Sequence, residues 1–121
     1  MTLHKVKLPG LRYLTFGNSF GSLERVILPS NLKSLTFGEK FCRSLDNVTL
    51  PRSLERLSFG RMFNQSLEKA KLPFGLKDLR FGSQFNQSLE KVTLPSSLKS
   101  LTFGFSFDKS LENVNLPSGL E

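Results

Sequence analysis

Five carboxylates recur at one position of the chain, Glu24, Asp46, Glu68, Glu90 and Glu112, each 22 residues from the next. Grouped carboxylates are the side chains of general acid and base catalysis and of divalent-cation sites. A basic column answers them at Arg12, Lys33, Lys77 and Lys99, and Arg25, Lys69 and Lys91 directly follow three of the acids. Acid and base alternating at a fixed period describe a solvated surface that offsets its own repulsion, and no nucleophile or irregular pair marks a catalytic centre. The chain has one His and one Cys, Cys42. That excludes an internal disulfide, a cysteine-only metal site and a His-rich cluster. The expectation is a protein that is not an enzyme, with no metal and no cofactor.

Two further signals invite other chemistry. Asn47-Val48-Thr49, Asn64-Gln65-Ser66 and Asn86-Gln87-Ser88 fit the glycosylation acceptor pattern. Two of the three follow from a repeated Phe-Asn-Gln-Ser sequence whose Asn reads as turned inward, so they do not argue secretion. Seventeen Lys and Arg against ten Asp and Glu give a net charge of +7. Nucleic-acid binding needs those cations on one face, with exposed aromatics for stacking. The outward positions read Thr15, Thr36, Ser58, Arg80, Thr102 in one column and Lys7, Ile27, Thr49, Lys71, Thr93, Asn115 in another. Neither is a basic stripe, so nucleic acid is not the expected partner, and an acidic protein or membrane surface stands level with it as a lesser alternative. No stretch approaches the roughly 20 apolar residues of a membrane span, and the opening MTLHKVKLPG lacks the apolar centre of a signal peptide. An intracellular setting is the expectation, also because no disulfide can form.

The elements that position these columns follow from the repeat itself. Leu-Pro pairs stand at Leu28-Pro29, Leu50-Pro51, Leu72-Pro73, Leu94-Pro95 and Leu116-Pro117, with Leu8-Pro9 opening the series, and Phe-Gly pairs keep the same period of 22 from Phe37-Gly38 onward. The idealised unit carries L-x-x-L-x-F before the Gly and L-x-x-V-x-L before the Pro. Alternation across Leu-Thr-Phe and Val-Thr-Leu predicts two short strands per unit, bounded by Gly and Pro. A helix over Phe63–Ala70 is the competing reading, since Phe63, Leu67 and Ala70 are spaced by four and three. One unit cannot bury enough surface to order itself, so units must stack and line identical side chains into ladders. Ten of the twelve Phe form two such columns: Phe16, Phe37, Phe59, Phe81, Phe103, and Phe20, Phe41, Phe63, Phe85, Phe107. The fold class expected is all-β: a right-handed parallel β-solenoid, leucine-rich-repeat-like, of about five 22-residue coils. As one repeat domain over 1–121, it divides into a partial coil 1–7, coils 8–27, 28–49, 50–71, 72–93 and 94–115, and a partial coil 116–121.

The segments LPSNLKSLTFGEKF and LPFGLKDLRFGSQFNQSLEKVTLP resemble FNIP repeats, a leucine-rich-repeat relative named for a Phe-Asn-x-Pro-Ile core. The likeness covers nearly the whole chain. It departs at the Pro-Ile step, where Ser66-Leu67, Ser88-Leu89 and Ser110-Leu111 stand instead. The resemblance implies a solenoid used for protein interaction, and it carries over no catalytic residue. It also suggests a role for Cys42, Asn64, Asn86 and Asp108, which share one column: such a position satisfies backbone groups inside a bend.

Residues that break the repeat are the candidates for recognition. Tyr13, Phe74 and Phe105 are aromatic where other units carry small, polar or charged side chains, and Arg61-Met62 fill a turn that is otherwise small or polar. Such residues either serve an interface or fold over the solenoid edge. With the variable outward positions Ile27, Lys71 and Arg80 they make the candidate interaction surface for a protein partner of unknown identity. Neither end shows a capping sequence, so the chain reads as part of a longer array or as a building block that self-associates end to end, through its uncapped ends, or side by side.

Overall fold

The computed structural model describes residues 11–16, 28–46 and 48–121; Phe20, Ile27 and Asn47 lie outside the described residues, as do Leu8-Pro9 and Glu24-Arg25. Every strand is three residues long: β1 (Tyr13–Thr15), β2 (Ser34–Thr36), β3 (Arg56–Ser58), β4 (Asp78–Arg80) and β5 (Ser100–Thr102). They pair in parallel, in chain order, as one sheet. The register aligns Leu14, Leu35, Leu57, Leu79 and Leu101 in a single row. That row faces inward because side chains alternate along a strand, which leaves the residues on either side of each Leu pointing outward.

Three tight corners return the chain from one strand to the next, each closed by a hydrogen bond from residue i+3 to the carbonyl of residue i. In the third coil Leu54 N–H donates to Pro51 O (3.1 Å), Phe63 N–H to Gly60 O (3.4 Å) and Ala70 N–H to Leu67 O (3.1 Å), and the following coil repeats all three. Residues three apart at a corner both turn inward, which explains the L-x-x-V spacing without a helix. No helix spans Phe63–Ala70; the segment from Leu67 to Ala70 is a turn.

The expectation of two strands per coil is corrected to one among the described residues. The Val-x-Leu segment is consumed by the third corner, where Val92 N–H bonds back to Leu89 O within its own coil. It then runs into Pro51, Pro73, Pro95 or Pro117, which has no N–H to donate, so a ladder there would break at the same row in every coil.

Between the sheet and the corners lies an interior with no buried polar residue among those described. Within a coil the two Phe rings meet face to face, with centroids 3.9 Å apart for Phe59–Phe63 and 3.8 Å for Phe81–Phe85. Between coils the first column repeats at 5.3–5.7 Å and the second, from Phe41 to Phe107, at 6.1 Å. Those spacings exceed the roughly 4.8 Å between strands, so the rings stack offset, an arrangement their quadrupoles favour.

Glycine sets the closeness of the coils at the corner after the strand. A Cβ on Gly60, Gly82 or Gly104 would lie 2.3, 2.1 or 2.3 Å from the carbonyl oxygen of the glycine one coil earlier. Only a residue without a side chain fits there.

Candidate interaction surface

The outer face of the sheet is built from three columns. The first runs Arg12, Lys33, Glu55, Lys77, Lys99 and is threaded by backbone bonds, with Glu55 N–H donating to Lys33 O and Lys99 N–H to Lys77 O, both at 2.8 Å. The second is Tyr13, Ser34, Arg56, Asp78, Ser100 and the third Thr15, Thr36, Ser58, Arg80, Thr102, both set by the strand register. Two ion pairs cross this face: Lys33 Nζ to Glu55 at 3.4 Å between neighbouring coils, and Arg80 Nε to Asp78 Oδ2 at 3.0 Å along β4. The first is solvated on both sides and contributes little to stability, while in the second Arg80 is exposed and Asp78 is mostly covered. The other carboxylate oxygen of Asp78 is buried and has no hydrogen-bond partner.

The off-pattern side chains are exposed on the rims of this face and do not fold over the edge. Phe74 is 87% exposed at the corner entering β4, and Phe105 is 98% exposed at the corner leaving β5. Tyr13 is 68% exposed in β1, and Met62, beside exposed Arg61, is 40% exposed at the corner after β3. The Phe74 corner is pinned from the next coil, since the single proton of the Ser97 hydroxyl is shared between Leu76 O, at 2.7 Å, and Phe74 O. Lys71 is exposed but occupies the Val-x-Leu side of its coil, so the fold separates it from Arg80.

The remaining columns have structural partners. Asn64 Oδ1 accepts the N–H of Asn86 (2.9 Å), and Asn86 Oδ1 accepts the N–H of Asp108 (2.8 Å). These side chains point along the array rather than into the bend, and Asn64 is exposed, which corrects the inward expectation. The interior is packed with Leu, Phe and Val, where an amide would lose its hydrogen bonds. Cys42 is a free thiol at the head of this column; it meets the Gln65 amide, whose Nε2 donates to Cys42 O at 3.3 Å and lies 3.6 Å from Sγ. In the acidic column each carboxylate residue is held by the Ser two before it: Ser44, Ser66, Ser88 and Ser110 Oγ accept the N–H groups of Asp46, Glu68, Glu90 and Glu112 at 3.0–3.2 Å. This is what Ser does at the step where the resembled family carries Pro. Reading the sequence for ladders missed these Ser contacts, although Ser-Leu-Asp/Glu recurs in every unit.

A shallow polar groove of ≈ 270 Å³ lies between the third and fourth coils, lined by Ser66, Glu68, Gln87, Ser88, Glu90 and Lys91. Among the described residues no group of three His, Cys, Asp or Glu side chains is placed to hold a metal ion. No helix among them is long and apolar enough to cross a membrane.

Compared with known families, the chain matches the FNIP Repeat model five times in overlapping succession, over residues 3–40, 21–62, 41–84, 63–106 and 85–121. No curated protein matches it.

Proposed function

The chain belongs to the FNIP repeat family, and from that premise we propose that it is a non-enzymatic scaffold that presents a surface to a protein partner. One observation carries the reading: the repeated apolar side chains are spent on the interior, while the large apolar residues that break the repeat, Phe74 and Phe105, stand almost wholly in solvent. Exposed aromatics set among Arg and Lys are the composition of interface hot spots. An affinity pull-down tests it. Phe74→Ala, Arg80→Ala and Phe105→Ala together are expected to lose the partners the unaltered chain recovers, with the melting temperature unchanged. Unchanged recovery overturns the choice of surface.

A second reading, self-association, is favoured by two apolar columns: Leu111 is 38% exposed where Leu67 and Leu89 are buried, and Leu116 is 42% exposed where Leu50 is buried and Leu72 and Leu94 are partly buried. Light scattering over a concentration series decides it, and a monomer at every concentration excludes it.

A further inference from the structure

We propose that the partner is an acidic, extended protein segment with apolar residues at its two ends, lying along β4 and β5 from Phe74 to Phe105; this rests on the scaffold reading and specifies its partner. The sheet face concentrates the charge. Its fifteen outward side chains include six cations and two carboxylates, a net charge of +4, so more than half of the chain's +7 sits on this one face. Lys33 and Arg80 are engaged by Glu55 and Asp78, but among the described residues Arg12, Arg56, Lys77 and Lys99 have no ion pair. Lys77 and Lys99 occupy successive rows of one column, and Glu121, whose N–H donates to Lys99 O, forms no ion pair with Lys99.

Like charges directly across a strand pair repel. An anionic group placed between them removes that repulsion and gains attraction to both, so the complementary ligand is negative. The aromatics set its ends. Phe74 precedes Lys77 by three residues and Phe105 follows Thr102 by three, so the exposed rings bracket the cationic rows along the strand direction. That span suits roughly six to eight residues of extended chain at about 3.3 Å each. The Ser97 hydroxyl, facing Leu76 O and Phe74 O, holds the Phe74 corner before any partner arrives, which lowers the ordering cost of binding. Glu55 and Asp78 on the same face disfavour a continuous phosphate backbone, whose charges cannot skip them.

The experiment is fluorescence anisotropy with three labelled probes of equal length: a peptide alternating Glu and Ser with Leu at each end, the same peptide with Lys for Glu, and oligothymidylate. The acidic peptide is expected to bind, to weaken as salt rises, and to lose about tenfold in affinity with Lys77→Glu plus Lys99→Glu. Phe74→Ser plus Phe105→Ser, both almost wholly in solvent, should weaken it without changing the melting temperature. Lys69→Glu plus Lys91→Glu, off the sheet, should leave it unchanged. Equal binding of the acidic and basic peptides, equal loss from the two charge-reversed pairs, or tighter binding of oligothymidylate overturns the proposal. If the pull-down partners are lost with the Phe variants but kept with Lys77→Glu plus Lys99→Glu, the acidic-segment proposal fails and the scaffold reading stands.

Discussion

At the scale of single residues, each column of the repeat can be used to judge the residue that departs from it. Ser53 and Ser97 occupy the same corner position, and their hydroxyls donate to Leu32 O (2.6 Å) and Leu76 O (2.7 Å) of the preceding coil. Gly75 stands at that position in the fourth coil, and a Cβ there would meet Arg52 O at 3.6 Å and Leu54 O at 4.0 Å, ordinary contacts. Gly75→Ser is therefore expected to raise stability by about 1 kcal/mol, from one added hydrogen bond and a less flexible unfolded chain, read by urea denaturation. Gly82 is the opposite case. Its Cβ would press on backbone that cannot move without parting two coils, so Gly82→Ala should cost about 3 kcal/mol in the same assay. Cys42→Asn supplies the amide oxygen that the column offers at Asn64 and Asn86 to the next coil's N–H, with an expected gain of about 1 kcal/mol. An unchanged midpoint in that variant would show that Asn64 N–H gains nothing from a column carbonyl.

At the scale of elements, stability is carried by the contact between coils more than by any strand. A three-residue strand has too few ladder bonds to persist alone, and each N–H and C=O on its edge depends on the neighbouring coil. The stacked Phe columns supply what the strands lack. Phe63 has no exposed surface and touches Phe41, Phe59 and Phe85 in the stack. Phe63→Ala should cost about 3–5 kcal/mol, since the cavity sits between three rings held at fixed spacing. Phe107→Ala, in the less enclosed last ring of that column, should cost distinctly less, and thermal melts of the two variants compare them. This is also the level at which the sequence was read unevenly. The columns of Phe37, Phe59 and Phe81 were legible because a constant spacing survives any assignment of secondary structure. A second strand is what Val92, Thr93 and Leu94 suggest by their alternation, while the feature that decides against it, the Leu89–Val92 turn bond, exists only in the folded chain. The Ser-capped turns were hidden for a related reason: a side chain bonding to backbone two residues on leaves no apolar period to detect.

At the scale of the whole molecule, the architecture divides labour between inside and outside. Repetition determines the interior, so function is carried by departures from it. Phe74 and Phe105 could be singled out from sequence because they break a column, but their placement at opposite ends of neighbouring strands required the fold. The same fold separates Lys71 from Arg80, which sequence alone had grouped. It also brings Lys77 and Lys99, which sequence had placed within a self-compensating surface, onto a face where acids are few. Raising salt should weaken partner binding to that face while leaving the melting temperature nearly unchanged, because among the described residues the core that holds the coils together contains no charge. A melting temperature that followed the loss of binding would place charge pairing among the forces that hold the coils.

The central claim is that residues 22 apart sit directly above one another with their rings in contact. Nuclear Overhauser spectroscopy on a sample with labelled Phe rings tests it directly. The account predicts ring-to-ring contacts from Phe59 to both Phe37 and Phe81, and from Phe63 to both Phe41 and Phe85, with none from Phe59 to Phe103. Spectra in which Phe59 contacts only rings within its own unit, or in which Phe59 and Phe81 show no contact, would contradict it.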